Sequence, residues 1–169
     1  MKKTNIIASI VTLALLLAST LAFAGDQATA NLTINAAVNA RAKLTLGTNA
    51  INFPDADPDD TPSIAAAENG VSVTVKVRTG SASAATLTHQ AAGDLVASNT
   101  NNIPVSNVTW TASGTGFSSG TMSSSTARTV GSWTGSGTKS GTLNFSLANS
   151  WSYATGTYTV ASTFTLTAP

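Results

Sequence analysis

The groups in this chain that could move protons or hold a metal are few: one histidine, no cysteine and seven carboxylates, four of them at Asp55, Asp57, Asp59 and Asp60. General acid–base or nucleophilic catalysis needs a base held beside a nucleophile or a second titratable group. His89 has no such neighbour in sequence and sits at a polar strand end, so it reads as a solvated or partly packed side chain. No glycine-rich phosphate loop and no His/Cys metal spacing is present. The sequence therefore points away from an enzyme and requires no cofactor. Asp55, Asp57 and Asp59 alternate as oxygen ligands for calcium do, but an EF-hand-like loop would want glycine where Asp60 stands and a carboxylate where Ala66 stands. They are weak calcium candidates in what reads as a solvated acidic loop.

Three tryptophans offer a different chemistry, stacking against sugar rings. Trp110 and Trp133 close valine-containing strands and read as core or sheet-edge residues, whereas Trp151 and Tyr153 precede the last strand and are the better platform for a glycan.

The elements that carry these residues read as strands. Thr, Ser, Ala, Gly, Asn and Val dominate, and strong helix formers are few. Leu32, Ile34, Ala36 and Val38 share one face of residues 31–38, and Val71, Val73, Val75 and Val77 repeat the pattern, a period of two that marks half-buried strands. Residues 84–89, 105–112, 126–133, 141–147 and 158–166 fit the same template. Turn formers such as Asn69-Gly70, Thr79-Gly80, Gly93-Asp94 and Gly135-Ser136-Gly137 lie between them. Many short strands at this spacing describe an all-β sandwich. Residues 54–67, with three prolines and four aspartates, break the pattern and read as a long surface loop, with room for one helical turn at residues 65–68.

The N-terminus sets the compartment. Lys2 and Lys3 precede an apolar run that closes on Ala22-Phe23-Ala24, the layout of a secretory signal peptide cleaved before Gly25. Residues 1–24 are thus expected to be removed, 25–40 to form an N-terminal extension and 41–169 a single sandwich domain. The expected product is secreted, with no membrane span after cleavage. Cleavage removes two of eight basic residues and none of seven acidic ones, taking the formal charge from +1 to −1. Arg41, Lys43, Lys76, Arg78, Arg128 and Lys139 are scattered along the remainder, without the basic cluster that binding a phosphate backbone needs, so nucleic acid is not an expected partner. With no disulfide available, stability must come from packing, strand pairing or assembly.

The most informative features are the two ends. From Gly156 onward Tyr158, Val160, Phe164 and Leu166 alternate with mostly Thr, a terminal strand with one buried side; residues 31–38 offer a matching apolar row. This arrangement resembles the subunits of chaperone–usher pili, closest in style to their cysteine-free members. In that family a glycine fourteen residues from the C-terminus opens an alternating last strand, and Gly156 holds that position, although Ala168 stands where an aromatic is usual. The ending Thr-Leu-Thr-Ala-Pro is also similar to that of cell-wall-binding WxL proteins, but no Trp here is followed two residues later by Leu.

The pilin resemblance implies an incomplete immunoglobulin-like sandwich that lacks its seventh strand. Leu32, Ile34, Ala36 and Val38 would be the donor row, inserted into a neighbour. Gly156, Tyr158, Val160, Phe164 and Leu166 would line the receiving groove and meet a periplasmic chaperone, with an outer-membrane usher as a further partner and the chain itself as the main one. The alternative is a monomeric secreted glycan- or surface-binding module working through Trp151 and Tyr153.

Overall fold

A computed structural model describes residues 26–98 and 100–169; the expected leader and its cleavage site lie outside the described residues. The described residues fall into two units that divide after Ala37, residues 26–37 and Val38–Pro169. In the first, residues 26–37 form no regular secondary structure and are exposed throughout. Leu32 and Ile34 are 84% and 85% accessible, where the apolar alternation led us to expect a half-buried strand. Alternation sets which side chains share a face, but a strand needs a ladder, and these residues belong to none.

The second unit is all-β. Its strands are β1 (Arg41–Leu46), β2 (Ser63–Ala65), β3 (Val71–Arg78), β4 (Ala84–Ala91), β5 (Leu95–Ala97), β6 (Asn102–Ile103), β7 (Val108–Ser113), β8 (Gly120–Thr121), β9 (Arg128–Thr134), β10 (Gly137–Ala148), β11 (Tyr158–Thr159) and β12 (Ser162–Thr167). A six-stranded sheet runs β1-β3-β10-β7-β8, with β2 also on β10; a second sheet runs β12-β4-β9, and a small third sheet β11-β5-β6. Every pairing is antiparallel.

The alternating rows explain why the two larger sheets pack. Val73, Val75 and Val77 of β3, Leu143, Phe145 and Leu147 of β10, and Val108 and Trp110 of β7 point inward from one sheet. Ala85, Leu87 and Ala91 of β4 and Val130 and Trp133 of β9 meet them from the other, and all of these side chains join one continuous core. His89 of β4 touches Trp110 and Phe145 edge-on, at ring-centroid distances of 5.8 and 6.0 Å, which ties the two sheets face to face.

Several expected boundaries move, each for a local reason. Residues 63–65 are a strand and not loop, because Ile64 turns into the core and its neighbours pair with β10. Pro62 sits just before this strand, where no ladder bond is asked of its nitrogen. Residues 65–68 do not form a helical turn. Ala67 and Glu68 lie in a tight turn closed by Asn69 (φ 51°) and Gly70 (φ 103°), and a side chain on Gly70 would also run into Thr142 and Asn144. The turn is clamped from outside, since the Glu68 carboxylate accepts hydrogen bonds from the Asn52 backbone N–H (2.9 Å) and Nδ2 (2.6 Å), which lower its pKa. The strand expected over 105–112 starts only at Val108; after Pro104, Val105–Asn107 make one 3-10 turn. The expected last strand is broken at Val160 and Ala161, pairing first with β5 and then with β4.

Candidate functional site

The site stands where the two large sheets meet at one side of the sandwich. β1 is an edge strand bonded only to β3, and β12 is an edge strand bonded only to β4. The two come within 8 Å of each other yet share no ladder among the described residues. Their inward residues remain half-buried: Leu44 and Leu46 on β1, and Phe164 and Leu166 on β12. Val73 and Val75 beside β1, and Leu87 beside β12, are completely buried. Tyr158, Val160 and Ala168 extend the half-buried row before and after β12. The result is an apolar seam with an unpaired strand edge along it.

Gly156 lies two residues before β11. A methyl there would meet the Ala97 Cβ at 2.9 Å, so the absence of a side chain lets the chain pass β5 closely on its way into the last strands. The Tyr158 hydroxyl donates back to the Ala154 carbonyl at 2.6 Å and steadies the same approach.

His89 lies beneath the seam, and deeper than its polar neighbours led us to expect: it is 3% accessible. The parity of β4 puts it on the inward face with Ala85, Leu87 and Ala91. Its ring stacks on Phe164 at 3.9 Å and 6°, and its Nε2 is 2.9 Å from the Ser162 hydroxyl, so both contacts are to β12. Burial disfavours the imidazolium and lowers the pKa to about 4. Its cross-strand partner on β9 is Arg128, whose side chain is exposed, and the ring itself, stacked on Phe164 and set edge-on to Trp110 and Phe145, works as a packed aromatic that pins the last strand.

The remaining candidates separate. Trp110 and Trp133 are buried, their indole N–H groups donating to the Ser118 and Thr115 carbonyls at 2.8 Å each. Tyr153 is half-buried; its hydroxyl donates to the Ala148 carbonyl (2.9 Å) and accepts from Asn107 Nδ2 (2.7 Å), so it is a structural tie. Trp151 alone is exposed, at 69%, with its N–H on Asp59 Oδ1 at 3.1 Å. The aspartates do not converge on a cation position: Asp57 Oδ1 accepts from the Asp59 backbone and Asp59 from Trp151, and no group of three metal-ligating side chains gathers among the described residues. Gly116, Ser118 and Gly120 carry the Gly-x-Ser-x-Gly spacing of a hydrolase nucleophile turn. That turn needs a strand before it and a helix after, whereas this stretch runs into β8. A cavity of about 230 Å³ beside Asp94, Ser123 and Arg128 is open and polar, and the Asp94 carboxylate is already engaged by the Val105 N–H.

Among the described residues no helix is long and apolar enough to cross a membrane. Comparison with protein-family models and with curated proteins finds no match.

Proposed function

We propose that this chain is a non-catalytic, secreted building block of an extracellular fibre, polymerising when the arm of one copy enters the β1/β12 seam of the next. The observation that carries the reading is the half-buried apolar row along an unpaired β12 edge. The complementary row, Leu32, Ile34, Ala36 and Val38, is exposed. Backbone pairing along β12 supplies affinity, and the alternate side chains set the register. Each large aliphatic side chain taken from water into the seam contributes about 1.5–3 kcal/mol.

Strand order supports an immunoglobulin-like version of the sandwich. The sequence β1-β3-β10-β7 in one sheet and the pair β12-β4 in the other match the A-B-E-D and F-C orders of that fold, and the strand that would flank F has no counterpart among the described residues. In this reading the inserted arm supplies it. An unfilled seam is an exposed edge prone to aggregation, so the subunit needs a capping partner before assembly, in the manner of a periplasmic chaperone, and an export platform such as an usher.

Deleting residues 25–38 tests the proposal. The truncated protein is expected to fold, to form no filaments in electron micrographs, and to gain melting temperature when a peptide spanning residues 30–40 binds its folded state. Ile34→Asp in the full chain should likewise stop polymerisation by placing a carboxylate in the seam. A truncated protein that unfolds and is not rescued by peptide, beside an intact protein that is a stable monomer, would refute the reading. The 69% exposure of Trp151 favours a second one, a monomeric glycan-binding module; quenching of tryptophan fluorescence by polysaccharide, lost in Trp151→Ala, would support it.

A further inference from the structure

Residues 41–169 carry six basic and six acidic residues; the topology gathers four of the cations at one end of the sandwich and four of the acids near the other, while Arg128 stands apart, across from His89 on β4. Scattered in sequence, four of the cations meet in space. Arg41 lies directly across from Arg78 and Lys43 across from Lys76 on the β1/β3 ladder, so all four share one face. That face is the outward one, because Val73, Val75 and Val77 alternate with Lys76 and Arg78 into the core, and all four cations are exposed. None of the strands of this sheet contains an acidic residue. Two like-charge pairs stacked directly across a ladder weaken it, and an anionic partner would relieve that repulsion.

The opposite charge gathers where β10 finishes, roughly 36 Å away for twelve extended residues. There Asn149 Nδ2 donates to the Ala56 and Thr61 carbonyls at 2.9 and 3.1 Å, and Trp151 holds Asp59, fixing an exposed loop that bears Asp55, Asp57, Asp59 and Asp60. Residues 44–75 contain no basic residue to neutralise it.

We propose that the outward face of β1 and β3 around Arg41, Lys43, Lys76 and Arg78 is the docking surface for the acidic loop of a second copy of this chain. The inference rests on the fibre reading and adds to it the orientation of the junction. The arm is followed directly by Arg41, at the positive end. β12 runs toward that same end, since Thr79, next to Arg78, hydrogen bonds through its hydroxyl to the Pro169 carbonyl. An arm inserted antiparallel to β12 therefore runs from the acceptor's positive end to its negative end, and brings the donor's basic face against the acceptor's acidic loop. Parallel insertion would set positive end against positive end. The surfaces are different on the two partners, so the contact is head-to-tail, the class of interface that builds a filament when its rotation does not close on itself.

Assembly of the full-length mature protein, followed by light scattering and electron microscopy, tests this. Lys43→Glu/Arg78→Glu neutralises the face while turning both like-charge pairs into opposite-charge ones, so folding, checked by circular dichroism and melting temperature, should be kept. Assembly at low salt should slow about tenfold or more, and the difference from the parent should vanish near ~1 M salt, where charges are screened beyond about 3 Å. Arg41→Glu/Lys43→Glu/Lys76→Glu/Arg78→Glu should fail alone, as should Asp55→Lys/Asp59→Lys/Asp60→Lys, and one chain carrying both sets should assemble again. Fibres forming at the parental rate in either reversed chain would overturn the charge contact and leave the fibre reading standing; a parent protein that never polymerises would overturn the fibre reading itself. Binding of phosphatidylglycerol vesicles or a DNA oligonucleotide that is lost in the reversed face, with assembly unchanged, would assign the face to an anionic surface or polymer and sink the proposal.

Discussion

The middle of the sandwich and its β1/β12 side are built from the same kind of alternating strand and end in opposite conditions. On β3 and β4 each inward side chain is covered by a strand on both sides, and Val73, Val75, Ala85 and Leu87 have no accessible surface. On β1 and β12 the same alternation meets a strand on one side only, and Leu44, Leu46, Phe164 and Leu166 stay half-buried. The middle therefore holds the fold, and the seam holds apolar surface still to be removed from water. Breaking the first should cost stability; breaking the second should cost association.

Trp110→Ala is the largest break on offer. The side chain is 2% accessible and its N–H satisfies the Ser118 carbonyl, so its loss should destabilise the protein by about 3–5 kcal/mol in urea titrations. A cost under about 1 kcal/mol would mean that the two sheets do not share this core.

Acid should act next. His89 titrates near 4 when folded against 6.5 when exposed, so below pH 6.5 the unfolded chain takes up a proton that the folded chain refuses. Stability from this residue is fully present above 6.5, falls as the pH drops toward 4, and is level below that. The total loss is about 3 kcal/mol. Urea midpoints measured between pH 7 and pH 4 should show the slope, and His89→Leu should flatten it; an unchanged slope would place the acid sensitivity elsewhere.

How much of this was legible in the sequence depended on whether the property was local. Period two at Val71, Val73, Val75 and Val77 gave the strand and its inner face, and the composition gave an all-β chain. The parity that buries His89 was also present, since Leu87 and Ala91 flank it at even spacing, but its polar character hid the signal. Pairing across long separations was not legible. That Lys43 faces Lys76, or that Leu166 faces Leu87, follows from strand order, which alternation does not encode. β2 escaped because three residues between prolines and glycine carry too short a pattern, and the break at Val160 and Ala161 because the two halves bond different strands.

Gly156→Val tests the approach to the seam. The added side chain would overlap Ala97 Cβ, and overpacking of this kind should cost about 1–2 kcal/mol. Ala97→Gly should recover part of it. No cost, or no recovery, would show that the passage between β5 and β11 is not the reason for glycine.

The smallest effect on folding is the one that separates the two regions most cleanly. Leu87 and Leu166 are direct cross-strand partners on β4 and β12, the same side chain at the same level of the sandwich. One has no accessible surface and the other is half-buried. Leu87→Ala removes a fully packed side chain and should cost about 2–5 kcal/mol. Leu166→Ala removes one that water already reaches, and the surroundings can close on the gap, so the free subunit should lose only about 1 kcal/mol. Binding of the 30–40 peptide to the arm-deleted protein should respond in the reverse order. The peptide would bury Leu166 and never touch Leu87, so Leu166→Ala should weaken it about tenfold, near 1.4 kcal/mol, while Leu87→Ala should leave the affinity of the folded fraction unchanged. Isothermal titration and chemical denaturation on the same two proteins read both quantities. If Leu166→Ala costs as much stability as Leu87→Ala and leaves peptide binding untouched, the seam is ordinary core, and the arm has no place there.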